Sequence, residues 1–278
     1  MEYGQNMIKY PVVDGAFYPK ERDTLARVID DFITKQPPDA HGKPKAIVVP
    51  HAGYIYSGQI AAFAYQRAMG HGYKDVIVIS PSHHYSNKDF FVGDYDAYDT
   101  PLGQIKTNKE KIMQLKQHPE FIFDPQVDSS EHALEVQLPF IKHLLPEAKI
   151  VPIIFMRQNR ANAKKLAEYL IDILDSETLL VISTDLSHFH RASVAEHKDK
   201  TLIEHFLKND IDGLYDLLVD RRVEACGFGG ILTQMYLINT FKNTKIENVS
   251  YTHSGNISGD NSSVVGYFSC TINGYDID

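Results

Sequence analysis

A chain of 278 residues in which 36 acidic side chains outnumber 28 basic ones, leaving a formal net charge of -8, lacks the basic footprint that binds a phosphate backbone, so nucleic acid is excluded as a partner. No apolar run approaches membrane-spanning length, and residues 1–19 show no basic region followed by an apolar core, which points to a cytoplasmic protein with no membrane contact. Two cysteines, Cys226 and Cys270, are too few for a disulfide framework, and the length suits one α/β domain spanning residues 1–278.

Taken in order, residues 11–19 read as an entry strand and turn. Leu25, Val28, Ile29, Phe32 and Ile33 then give residues 25–34 the spacing of an amphipathic helix, which Gln36-Pro37-Pro38-Asp39 breaks. The apolar run Ala46-Ile47-Val48-Val49 stops at Pro50 and delivers His51, as expected of a strand buried on both faces with its tip at the ligand-binding rim of an α/β sheet. Gly53 allows a turn, and Ser57 is placed to cap a helix burying Ile60, Ala61, Ala64, Tyr65 and Ala68. The second run, Val76-Ile77-Val78-Ile79, ends in Pro81-Ser82-His83-His84 and completes a βαβ unit.

Residues 89–105 look like a hairpin or edge strands, and a helix is predicted over 108–117. Asp128-Ser129-Ser130-Glu131 has the spacing of a capping box, opening a helix with Leu134, Leu138, Ile141 and Leu145 inside and a kink at Pro139. Residues 149–156 form a strand without a terminal histidine, read as scaffold, and residues 161–174 a helix. The third histidine-bearing run, 179–188, ends in Asp185 and His188. Two helices are predicted between 192 and 219, another from the Cys226-Gly227 turn, and strands over 249–253 and 264–272 around a polar loop, read as a surface turn. The expected architecture is a layered, partly parallel sheet flanked by helices.

Three strands ending in histidine, as parallel neighbours, would gather imidazoles at one sheet edge. Neutral imidazole is a ligand for borderline metals, so His51 and His83 are the first two candidate ligands, with His84 competing for the second place. Cys226, before a predicted helix amino terminus that favours thiolate, is the third. Asp185 and His188 form a candidate acid–base pair in which the carboxylate orients the imidazole. His132 and Glu135, three apart on the polar face of the predicted helix, are placed to meet a substrate in the cleft.

Pro-His-Ala-Gly-Tyr at 50–54, Pro-Ser-His-His at 81–84, Glu-His-Ala-Leu-Glu-Val-Gln-Leu-Pro at 131–139, Ser-Thr-Asp-Leu-Ser-His at 183–188 and Ala-Cys-Gly at 225–227 together resemble the MEMO family. Gly-Ala-Phe-Tyr-Pro at 15–19 and Asn-Ser-Ser-Val at 261–264 also fit. The family is also called AmmeMemoRadiSam system protein B. The resemblance implies a fold related to class III extradiol ring-cleaving dioxygenases, whose site holds non-haem iron, and partners of the radical-SAM and AMMECR type. It places the metal on His51, His83 and Cys226 with Asp185 and His188 beside it, His188 matching the dioxygenases' catalytic histidine. Cys226 stands where those enzymes use a carboxylate, a softer set that also suits copper or zinc. Family members are linked to metal-dependent redox activity and to phosphotyrosine peptides. The expectation is therefore a metal-dependent oxidoreductase acting on a small molecule. Its rivals are a zinc- or Cys226-dependent hydrolase and a non-catalytic peptide- or partner-binding module.

Overall fold

The computed structural model describes residues 6–35, 42–241 and 243–274, so the expected break at Gln36 to Asp39 lies outside the described residues. Strand β1 (Ile8–Lys9) leads to α1 (Arg22–Thr34), then β2 (Pro44–Val49), α2 (Tyr54–Ala68) and β3 (Asp75–Pro81). Short strands β4 (Phe90–Val92), β5 (Ala97–Tyr98) and β6 (Ile105–Lys106) precede α3 (Lys109–Leu115), β7 (Phe121–Ile122) and α4 (Leu138–Leu144). Next come β8 (Lys149–Phe155), α5 (Arg160–Ile171), β9 (Thr178–Ser183), β10 (His188–His190), α6 (Ala192–Leu207), α7 (Ile211–Val219) and α8 (Phe228–Thr240). The sequence closes with β11 (Lys245–His253), the one-turn α9 (Gly255–Ser258) and β12 (Val264–Asn273).

Among the described residues β1, β5 and β6 make a three-stranded sheet, and the rest a nine-stranded one. Its centre is the parallel set β2, β9, β3, β8. Antiparallel β12 flanks β2 and antiparallel β4 flanks β8. The central strands are uninterrupted apolar runs because both faces are covered. Ala46, Val48, Ile77, Ile79, Leu180 and Ile182 pack on one side with Leu166 and Leu170 of α5 and Ile231 and Met235 of α8. Ile47, Val49, Val76, Val78, Leu179 and Val181 pack on the other with Leu25 and Ile29 of α1, Ala61, Ala64 and Tyr65 of α2 and Ile141 of α4. The expected helix–sheet–helix layering is therefore observed. Register brings strand ends level: Val49 pairs with Ser183 across β2 and β9, and Ile79 with Ile182 across β3 and β9. Residues just past those positions share one carboxyl edge.

Four local expectations are corrected. Residues 11–19 form turns with an isolated Asp14–Tyr18 bridge, because the Val12 and Val13 amides donate to the Glu135 carboxylate (2.8 and 2.9 Å) in place of a ladder. Helix α2 starts at Tyr54, and the Ser57 hydroxyl lies inside its first turn, donating to the Ala52 carbonyl at 2.9 Å. No helix opens at Asp128. Its carboxylate accepts from Tyr95 at 2.9 Å and lies 3.4 Å from the Tyr98 hydroxyl, and α4 begins only at Leu138 after a 3-10 turn. Pro139 falls in the first turn of α4, where its missing N–H costs nothing and no kink follows.

Candidate metal centre

The side chains carried past β2 and β3 meet the loop before α8. One donor atom each from His51, His83 and Cys226 lies within 4.8 Å of the others. His51 Nε2 and Cys226 Sγ are 3.2 Å apart, and the His51 and His83 rings meet edge to face at 5.4 Å. His84 Nε2 reaches the Ser130 carbonyl (3.3 Å), and His83 is the member of the pair whose donor atom joins the cluster.

Hydrogen-bond accounting fixes which imidazole nitrogen faces the cluster. The Ser183 hydroxyl has one proton and donates it to the Ala133 carbonyl at 2.7 Å, while Gln137 Nε2 donates to Ser183 Oγ at 2.9 Å. Ser183 Oγ must therefore accept from His51 Nδ1 at 3.0 Å, which leaves the Nε2 lone pair directed toward Cys226. Burial, reinforced by His83, pushes His51 down to about 3, so this ring is neutral.

His83 is held from behind by Glu131. The carboxylate accepts from the His83 amide (2.7 Å), His83 Nδ1 (2.9 Å) and the Ala133 amide (2.9 Å). Burial opposes the charge on Glu131, but these donors outweigh it and hold the acid at about 2. Burial likewise opposes charge on His83, and the Glu131 hydrogen bond and field win, raising it above the ordinary imidazole value. A carboxylate behind a ring whose other nitrogen is free is the outer-shell arrangement of histidine metal ligands.

Cys226 is placed by the end of β9. The Asp185 amide donates to its sulfur at 3.2 Å, its own amide donates to the Asp185 carbonyl at 3.2 Å, and Gly227 N donates to Thr184 Oγ1 at 2.9 Å. A Cβ on Gly227 would lie 2.6 Å from the Ser183 carbonyl oxygen, so glycine is what lets this loop sit so close. Gln158, just past β8, ties the loop from the other side, donating to the Cys226 carbonyl (2.8 Å) and accepting from the Gly229 amide (2.7 Å). The strand expected to be scaffold thus delivers a positioning side chain. Burial, with the field of Asp185, pushes the Cys226 thiol up, overriding the expected helix-terminus effect. A sulfur of this kind becomes thiolate when a cation replaces its proton.

Asp185 and His188 are not hydrogen-bonded to each other. The buried Asp185 carboxylate accepts from the His51 amide at 2.8 Å, fixing the strand end that carries the first imidazole, and burial raises its pKa. The His188 ring makes no hydrogen bond among the described residues and lines, with Cys226, a cavity of about 420 Å3. His132 stacks on His83 (centroids 4.6 Å) and lies 5.5 Å from His51, and burial, reinforced by His51, lowers it to about 4. Glu135 turns the other way. Its carboxylate is consumed by Val12 N, Val13 N and the Tyr18 hydroxyl, which corrects its assignment to a substrate cleft. The loop 255–263 folds on itself through α9 and the Asp260–Ser262 bonds.

The fold and site define a layered α/β protein with an N, N, S donor cluster at the carboxyl edge of its parallel strands, and two imidazoles with a sulfur fit a borderline transition metal. The family description "Memo-like protein" matches residues 9–271, and the chain belongs to that family. It is 33% identical to a MEMO1 family protein of Thermoplasma volcanium, over 95% of this chain and 97% of that one. It is 35% identical to a MEMO1 family protein of Nitrosopumilus maritimus, with 94% and 98% covered, and 34% identical to one of Aquifex aeolicus, with 94% and 97% covered. A solved structure of an uncharacterized protein from Escherichia coli K12 superposes at a TM-score of 0.43 with 14% identity, over 81% of this chain and 99% of that one. Among the described residues no helix is long and apolar enough to cross a membrane.

Proposed function

We propose that the chain is a metal-dependent oxidoreductase that binds one ion, iron first and copper or zinc as alternatives, on His51, His83 and Cys226. The carrying observation is that both imidazoles are tied through Nδ1, to Ser183 and Glu131, in a cluster where one donor atom each of His51, His83 and Cys226 lies within 4.8 Å of the others. When bound, a redox-active ion supplies electron transfer and zinc would supply Lewis acidity. The chain's own part is to orient the donors, to exclude water from His51 by burial, and to hold a proton on His188 at the cavity wall. A bare nucleophilic thiolate is disfavoured because burial raises Cys226.

Partners of the radical-SAM and AMMECR type belong to the same reading and are open to test by co-purification. The decisive experiment is metal analysis of anaerobically purified wild type, His51→Ala and Cys226→Ser, with circular dichroism to verify folding and oxygen consumption as the redox readout. Stoichiometric metal in the wild type and its loss in both variants is expected. Equal metal content in all three proteins refutes the centre, and metal uptake without oxygen or electron-acceptor turnover on candidate substrates refutes the redox assignment.

A further inference from the structure

The cavity beside Cys226 and His188 is walled by Tyr215, Leu218, Val219, Val223 and Phe228, with Arg221 and Glu224 as its charged side chains. At about 420 Å3 it has the size of a small-molecule site, and its chemistry is an apolar wall with one end of defined charge. Glu224 does not set that charge. Its carboxylate is matched by His190 Nε2 at 2.9 Å and Lys198 Nζ at 2.8 Å. The Arg221 guanidinium makes no hydrogen bond or ion pair among the described residues, so it is the unmatched charge of the wall.

The backbone at Arg221 gives a second, independent observation. Helix α7 ends in a Schellman arrangement: the Arg221 amide donates to the Leu218 carbonyl (3.1 Å) and the Arg222 amide to the Leu217 carbonyl (2.9 Å). The residue after the cap in this motif is left-handed and normally glycine, yet here it is Arg221 with φ 56°. Lys198 holds the turn by donating to the Arg221 carbonyl at 2.8 Å. Local conformation alone argues for glycine, and what the chain has instead is a side chain lining the cavity.

We propose that this cavity is a substrate subsite for a small organic acid with an apolar body, whose carboxylate pairs with Arg221 while the body lies against Tyr215, Leu218 and Phe228 and reaches toward Cys226 and His188. The inference rests on the reading of the cluster as a reactive centre only for the word substrate. Binding itself requires no metal. An arginine facing a carboxylate forms a charge-assisted pair, the contact type best suited to select an acid over its neutral isostere.

The test is calorimetric titration of metal-free and metal-loaded protein with two matched pairs, phenylacetate against phenylacetamide and hexanoate against hexanamide, in wild type and Arg221→Gly. Glycine suits the left-handed position, so this variant should fold with an unchanged or higher Tm and isolates the side chain. In the wild type at least one acid should bind about tenfold more tightly than its amide, and Arg221→Gly should abolish that preference. Absence of any acid preference, or a preference unchanged by Arg221→Gly, overturns the subsite. Metal content is measured on the same preparations. Stoichiometric metal without acid preference sinks the subsite alone, and acid preference in protein that takes up no metal sinks the centre alone.

Discussion

Replacing Glu131 with Gln tests whether this buried carboxylate holds His83 in place. Glu131 is 2% exposed and accepts three N–H groups. Its displacement from 4.5 to about 2, at about 1.4 kcal/mol per tenfold, amounts to a contribution on the order of 3 kcal/mol. The isosteric amide can keep its oxygen toward His83 Nδ1 and Ala133 N, but its NH2 then faces the His83 amide, donor against donor. Losing one charge-assisted bond and stranding that amide costs about 2 to 3 kcal/mol, in agreement. The sign follows from the depressed acid. The contribution is fully present above about pH 4.5 and is lost as the pH falls toward about 2, so Glu131→Gln should lower stability at neutral pH and flatten the acid limb. Urea unfolding of metal-free wild type and variant at about pH 7 and pH 3 measures both, the gap closing at the lower pH. Equal stability at neutral pH, or a gap that is the same at both, refutes the assignment. Metal affinity should also drop by about 10- to 100-fold, because the ring loses its outer-shell carboxylate.

Ser183→Ala removes the acceptor that fixes the His51 tautomer and leaves one Gln137 N–H unpaired, the other being held by the Pro50 carbonyl, so a loss of about 1 to 3 kcal/mol and at least about tenfold in metal affinity is expected; unchanged affinity argues against tautomer control. Gly227→Ala forces a Cβ to within 2.6 Å of the Ser183 carbonyl, and the displaced loop should show faster alkylation of Cys226 in metal-free protein together with about 1 to 3 kcal/mol lower stability; wild-type alkylation would show that the loop does not hold the sulfur. A cation displaces the Cys226 proton throughout this range and also competes with the His83 proton, held more tightly than in an ordinary imidazole, so metal uptake should weaken with falling pH and more steeply once His83 is protonated, while His51 at about 3 sets no limit. Competition titrations between about pH 8 and pH 5 should show that steepening, shifted to lower pH in Glu131→Gln; one uniform slope across the range, the same in both proteins, contradicts it.

The sheet and its histidine-bearing edge were legible because uninterrupted apolar runs ending in Pro50-His51 and Pro81-Ser82-His83 carry both the burial and the direction of a strand. The support of those imidazoles was not. Glu131 has the spacing of a capping residue, and nothing local distinguishes a carboxylate that caps a helix from one that reaches His83, 48 positions earlier. The same misplaced helix put Glu135 on the cleft side, whereas its partners Val12 and Val13 lie more than 120 positions away. Sequence proximity pairs Asp185 with His188, the nearest imidazole, but its carboxylate accepts from the His51 amide 134 positions away. Gln137, Ser183 and Gln158 gave no signal of their own, since an amide or hydroxyl acquires its role only when tertiary packing supplies the partner.

His51, His83 and Cys226 are delivered by segments separated by as many as 175 positions, and their levelling depends on β9 having entered between β2 and β3. No isolated hairpin or nascent fragment assembles that trio. Occupancy by a cation would act as a receipt for completed folding, withheld from truncated or half-made chains, and chelators should speed global unfolding more than they disturb any single helix.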